Sequence, residues 1–140
     1  MDIRELIEAA FEARKNSYAP YSHSRVGAAL CCNDGSIIKG CNVENSSYGL
    51  CNCAERTAVF KAVSEGKSGF TAIAIAGGDA DPDADTVRDY AYPCGACRQV
   101  LREFCSPDKF RIIVARSTDD YKEYTLSGLL PDSFGPDSLV

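Results

Sequence analysis

Residues 53–76 read CAERTAVFKAVSEGKSGFTAIAIA, and this stretch decides the fold. Cys53 to Glu65 is made of good or acceptable helix residues, and Gly66 suits the helix end. Phe70 to Ala76 is an apolar run of strand length, the pattern of a strand covered on both faces. The same order recurs downstream. Pro93 and Pro107 bracket a helix from about Cys94 to Phe104, and Phe110 to Ala115 is a second buried strand. Upstream, Ile3, Leu6, Ile7, Ala10 and Phe11 recur at helical spacing, so residues 2–15 predict an amphipathic helix with Asp2 as N-cap. Val26–Cys32 and Ser36–Val43 predict a hairpin around the turn Asn33-Asp34-Gly35. Tyr121–Thr125 predicts a short last strand. The five residues from Arg116 to Asp120 are too few for a parallel return, so a hairpin should close the sheet. The order α-β-β-α-β-α-β-β contains two β-α-β crossovers, which imply a parallel centre with helices packed on the sheet. Ser127–Val140 is expected to be an extended surface segment. No internal repeat or domain boundary interrupts the chain, so residues 1–140 are expected to form one domain.

Composition narrows the function. With 45% hydrophobic and 25% charged residues in 140, the chain suits one ordinary globular domain. A net charge of −5 with no basic stripe argues against a nucleic-acid polymer as partner. No apolar run is long enough to span a membrane. The charged start, Met1-Asp2-Ile3-Arg4-Glu5, lacks the apolar core of a signal peptide, which points to the cytoplasm. There the eight cysteines suit metal binding or redox work better than a disulfide framework.

Two cysteine clusters carry the chemistry. Pro93-Cys94-Gly95-Ala96-Cys97-Arg98 opens one predicted helix, with Cys94 and Cys97 on one face. The helix dipole there favours thiolate, which both metal ligation and thiol–disulfide exchange require. Cys53-Ala54-Glu55-Arg56 opens the other helix. Both helix starts should sit at the carboxyl edge of the sheet, where open α/β folds bind ligands. Three thiols converging there, with a fourth position open, describe a catalytic zinc site whose bound water has a pKa near 7. Residues two apart on a helix diverge by about 200°, so Cys53 must cap its helix if it and Glu55 are to face one metal.

Other readings stand beside this one. Cys51 could close the metal shell and make a structural zinc module. Cys94 and Cys97 could form a redox pair. Cys31, Cys32, Cys41 and Cys105 read as small packing residues. His23 reads as a surface loop residue. Asp79, Asp81, Asp83 and Asp85 alternate like a calcium loop but lack its glycine and its final glutamate, and read as a solvated acidic loop.

Cys53-Ala54-Glu55 followed by Pro93-Cys94-x-x-Cys97 resembles the zinc nucleoside and nucleobase deaminase signature, with Cys in place of the usual first His. Further stretches narrow the resemblance: Tyr18-Ala19-Pro20-Tyr21-Ser22, Val26-Gly27-Ala28-Ala29-Leu30, Gly40-Cys41-Asn42-Val43-Glu44-Asn45, and Leu129-Leu130-Pro131 with Phe134. In this order and spacing they are similar to the small homotetrameric cytidine deaminases. The resemblance implies a three-layer α/β/α sandwich with a five-stranded mixed sheet. It implies one zinc per chain on Cys53, Cys94 and Cys97, with Glu55 as proton shuttle. Hydrolytic deamination of cytidine or deoxycytidine to uridine or deoxyuridine plus ammonia would follow. Asn42 and Glu44 match the pair that holds the ribose 3′-hydroxyl, and Ala54 falls in the substrate-binding stretch. Tyr48 and Phe134 match residues that reach a neighbouring subunit's site in a homotetramer. Arg56 and Arg98 are expected to donate to the thiolates and offset their charge. One departure stands out: Ser24 occupies the place of a Phe that packs on the pyrimidine. It keeps open a modified cytosine nucleoside, such as blasticidin S, as substrate. A non-catalytic zinc-binding interaction protein is the alternative from another class.

Overall fold

A computed structural model of the chain describes residues 1–139; Val140, the last residue of the expected tail, lies outside the described residues. The first helix, α1 (Ile3–Arg14), starts where Asp2 Oδ1 accepts the amides of Arg4 and Glu5, at 3.0 and 3.4 Å. Those amides have no partner inside a helix, so the cap stabilises its start. Strands β1 (Val26–Cys32) and β2 (Ile37–Cys41) form the expected hairpin. Its turn needs Gly35 at φ +86°, and Asp34 Oδ1 accepts the Ser36 amide at 2.9 Å. Next come α2 (Ala54–Ser64), β3 (Phe70–Gly77), α3 (Gly95–Phe104), β4 (Arg111–Ser117) and β5 (Asp120–Thr125).

The five strands lie in the order β2-β1-β3-β4-β5. β2, β3 and β4 run one way, and β1 and β5 run against them. The β4–β5 hairpin is as expected. The expected parallel centre reduces to one pair, β3–β4, because β1 inserts between β2 and β3. β1 uses both edges, pairing Ala28 with Gly40 on one side and with Ile75 on the other. The first crossover therefore passes over an antiparallel strand.

Alternation along the strands sends side chains to two cores. Ala29, Cys31, Ala74 and Ile113 pack under Leu6, Ile7, Ala10 and Phe11 of α1. Leu30, Ile73, Ile75 and Val114 pack under Ala58 and Val59 of α2 and Leu101 of α3. The result is a three-layer α/β/α sandwich. Two glycines set the layer spacing. A Cβ at Gly27 would lie 2.0 Å from the Ala10 carbonyl oxygen, and one at Gly40 would lie 2.4 Å from the Ala58 nitrogen. Both helices therefore rest directly on sheet backbone, on opposite faces.

The tail departs from the extended surface segment expected of it. Leu126–Leu129 forms a one-turn helix, α4, whose start is capped by Thr125 accepting the Gly128 amide. Leu126 is fully buried, and Pro136–Ser138 makes a 3-10 turn. Side chains of α3 grip this segment. Gln99 donates to the Phe134 carbonyl at 2.9 Å, and Arg102 donates to Ser133 Oγ at 2.8 Å and Asp137 Oδ1 at 2.7 Å. All eight cysteines are free thiols, and Cys31, Cys32 and Cys105 are buried packing residues. No helix among the described residues is long and apolar enough to cross a membrane.

Candidate active site

The helices α2 and α3 begin at the same sheet edge, because the strands leading to them, β2 and β3, point the same way. Cys53 and Cys94 are their N-caps, both with extended backbone. Neither thiol makes a capping hydrogen bond, so both are free for other work. Cys97 lies in the first turn of α3 and is fully buried. Cys94 Sγ is 3.7 Å from Cys53 Sγ and 3.5 Å from Cys97 Sγ. All three sulfurs lie within 4.8 Å of one another. Tetrahedral zinc with bonds of about 2.3 Å places its thiolates about 3.8 Å apart. The donor set and its spacing therefore fit zinc, with a fourth position left for water.

The expected capping position of Cys53 is what lets it share a site with Glu55. Glu55, in the first turn of α2, is only 4% exposed. Burial first, then the charge on Cys53, push its carboxyl up to about 7. Hydrogen bonding with Cys97, then with Arg56 and Cys94, pulls the Cys53 thiol down to about 5 despite its own partial burial. Cys97 is pushed the other way, by Cys53 and by burial. Arg56 Nη2 donates to Cys53 Sγ at 3.3 Å and stays firmly charged there.

Arg98 behaves differently from Arg56. Its Nε donates to the Pro93 carbonyl at 2.8 Å and its Nη1 to the Leu129 carbonyl at 2.7 Å. Among the described residues, no hydrogen bond joins Arg98 to a thiol. The first carbonyl precedes α3 and the second ends α4, where helix geometry leaves carbonyls without partners. Arg98 is thus a brace between the metal helix and the tail.

Cys51 stays outside the sulfur cluster. Its Sγ accepts the Asn45 amide at 3.3 Å, and it lines the cleft beside the cluster. Cys51→Ser is expected to keep zinc content and kcat within about twofold of wild type. Metal analysis showing zinc lost from this variant would restore the closed structural shell.

The cleft beside the sulfurs has a volume of about 250 Å³. Val26, Ile75, Ala91 and Tyr92 make its apolar wall, and Ala54 and Glu55 lie at the metal end. Asn42, Glu44 and Asn52 supply polar groups. Asn42 and Glu44 are two residues apart on an extended segment, held by Tyr18 N to Asn42 O at 3.1 Å and Glu44 N to Tyr18 O at 2.8 Å. Such residues share a face. Glu44 Oε1 accepts the amides of Tyr21 and Ser22, both at 3.1 Å, and Oε2 accepts the Ser22 hydroxyl. These contacts, the hydroxyl first, hold the Glu44 carboxyl below its ordinary range.

Tyr48 and Phe134 do not line this cleft. Tyr48 is 74% exposed and packs on Tyr21 at 6.0 Å between ring centroids; Phe134 is 59% exposed. Ser24 is half-buried, and its carbonyl accepts from Asn42 Nδ2 at 2.8 Å. Sequence reasoning missed Val26, Ile75, Ala91, Tyr92 and Asn52. Ile75 had one usable signal, its place near the carboxyl end of a central strand.

Comparison with known proteins matches this geometry. Residues 1–113 match the family described as "Cytidine and deoxycytidylate deaminase zinc-binding region". The chain is 48% identical to a cytidine deaminase of Halalkalibacterium halodurans, over 99% of this chain and 98% of that one. It is 40% identical to a probable cytidine deaminase of Dictyostelium discoideum, over 99% of this chain and 88% of that one. The crystal structure of cytidine deaminase from Burkholderia pseudomallei superposes with a TM-score of 0.84 at 46% identity, covering 96% of this chain and all of that one. Its cofactor is zinc, and by sequence, fold and site this chain belongs to the cytidine and deoxycytidylate deaminase family.

Proposed function

We propose that this chain hydrolyses the C4 amine of cytidine or deoxycytidine, giving uridine or deoxyuridine and ammonia, at one zinc held by Cys53, Cys94 and Cys97. The observation that carries this reading is a buried carboxyl, Glu55, beside the three-thiol cluster in a cleft of small-molecule size. A structural zinc module has no use for that carboxyl. When bound, zinc supplies the Lewis acidity that makes water a strong nucleophile at neutral pH.

The chain's own residues do the rest. Glu55 takes one proton as water adds to C4 and delivers it to ring N3; it then takes the proton of the new C4 hydroxyl and gives it to the amine as the C4–N bond breaks and the C4 carbonyl forms. Water adds and ammonia leaves, so protons balance without another cofactor. Arg56 offsets the thiolate charge that would blunt the metal's pull on water. Val26, Ile75 and Ala91 give the pyrimidine an apolar wall. Asn42 and Glu44 hold the ribose 3′-hydroxyl. Glu44, already an acceptor of three hydrogen bonds, is kept ionised to accept a fourth from that hydroxyl.

Tyr48 and Phe134 project from the surface outside their own cleft, which supports a homotetramer in which each completes a neighbour's site. Light scattering is expected to give four times the chain mass of 15.1 kDa. Cytoplasmic localisation is part of the same reading.

The test is a panel of cytosine, cytidine, deoxycytidine, the 5′-monophosphates of the two nucleosides and blasticidin S, followed by ultraviolet absorbance and ammonia release. Turnover of cytidine or deoxycytidine is expected. Zinc at one per chain with no ammonia from any member would favour a non-catalytic zinc protein. Ser24 forgoes base stacking worth about 1–3 kcal/mol. Ser24→Phe is therefore expected to lower KM for cytidine by about 5–150-fold with kcat nearly constant. An unchanged KM would show that position 24 does not touch the base.

A further inference from the structure

We infer that Ser17 is a positioning residue for substrate recognition: it saturates the Asn42 side-chain carbonyl, so that Asn42 offers the sugar only an N–H. The inference rests on the reading of Asn42 and Glu44 as the sugar-hydroxyl pair.

The Asn42 amide has a complete ledger. An amide oxygen has two lone pairs and an amide nitrogen two hydrogens. Oδ1 accepts both the Val26 amide, at 2.8 Å, and the Ser17 hydroxyl. Nδ2 donates one hydrogen to the Ser24 carbonyl at 2.8 Å. Among the described residues one N–H is left, and Asn42 lines the cleft. The reverse amide orientation would set Nδ2 against the Val26 N–H and Oδ1 against the Ser24 carbonyl. The only free valence is therefore a donor, and Glu44 beside it is an acceptor. A hydroxyl that accepts from Asn42 and donates to Glu44 satisfies both. A group that cannot do both leaves one of them unpaired.

Ser17 is itself held for this task. It is only 7% exposed and follows the end of α1. Arg25 Nη1 donates to the Ser17 carbonyl at 2.8 Å. The Arg25 carbonyl in turn accepts from Nε of the fully buried Arg14 at 3.1 Å. Arg14 Nη2 reaches the Asp79 carbonyl at 2.9 Å. This chain of contacts fixes residues 17 and 25 against each other around the Asn42 amide. Without the Ser17 hydroxyl, Oδ1 regains a lone pair and the amide loses one of its three anchors.

The test compares kcat and KM for cytidine, 2′-deoxycytidine and 3′-deoxycytidine in wild type, Ser17→Ala, Ser17→Cys, Ser17→Thr and Asn42→Ala. An analogue turned over too slowly is measured as a competitive inhibitor. Ser17→Ala is expected to raise KM for cytidine by about 3–10-fold, the worth of one hydrogen bond. The kcat should hold within about twofold, and 3′-deoxycytidine should be unaffected, because it lacks the group Asn42 reads. Ser17→Cys fills the site with a weak donor and should behave like Ser17→Ala. Ser17→Thr restores the hydroxyl and should recover most of the loss. If Ser17→Ala and Ser17→Cys weaken all three nucleosides equally, or none, while Asn42→Ala is selective for the two that carry a 3′-hydroxyl, cytidine and 2′-deoxycytidine, Ser17 has no positioning role. If Asn42→Ala is itself unselective, the sugar reading fails and takes this inference with it.

Discussion

Glu55→Gln is expected to lower kcat on cytidine by about 10²–10⁴-fold, the range for losing a positioned acid–base group, while zinc stays at one per chain. The substitution keeps the size and shape of the side chain, so the cavity and the sulfur cluster survive it. It removes the ability to take up and release a proton. Glu55 is 4% exposed, so bulk water has little access to replace it. The check is ammonia release beside metal analysis on the same sample. Turnover within about tenfold of wild type would assign the proton transfers elsewhere. Loss of zinc would mean that the carboxyl is a ligand.

Cys97→Ala is expected to abolish both stoichiometric zinc and activity, and to remove the effect of chelator on thermal stability. A zinc ion on Cys53, Cys94 and Cys97 would join the N-termini of two helices through three thiols. Free zinc at about 100 times its Kd adds roughly 2.7 kcal/mol to folding stability. For a domain of this size that is roughly 5–11 °C in Tm. Chelation should cost the wild type that shift and re-added zinc should return it, whereas the variant should respond to neither. A variant that keeps one zinc per chain would show that Cys97 is not a ligand.

Much of this was legible in the sequence because it is local. Asp2 as a cap, the stripe from Leu6 to Phe11 and the turn at Gly35 are written in neighbouring residues. Cys53 as an N-cap followed from needing it and Glu55 at one metal, and α2 begins at Ala54 as that requires. Strand adjacency was not legible. The direction of β3 follows from its crossover, but nothing local in Val26–Cys32 says that its second edge will take β3. The tail was hidden for a different reason. Its Pro and Gly residues mask a segment held by side chains from α3, chiefly Gln99 and Arg102. Arg98 shows the same limit. Proximity in sequence to Cys97 suggested a thiolate partner, whereas two unpaired carbonyls claimed it. Ser17 gave no signal, since its partner lies 25 positions away.

Gly27 and Gly40 leave no slack between the strands and the helices above and below them. An added methyl at position 40 would force α2 to ride up, and the first residues to move with it are Ala54 and its neighbour Cys53. A sulfur displaced by even half an ångström no longer meets a bond length of about 2.3 Å. Laboratory evolution of this scaffold should therefore find those two positions closed to change, although neither lines the cleft. By contrast, Asp81, Asp83 and Asp85 are exposed and line no part of the cleft, and substitutions there should leave zinc content unchanged.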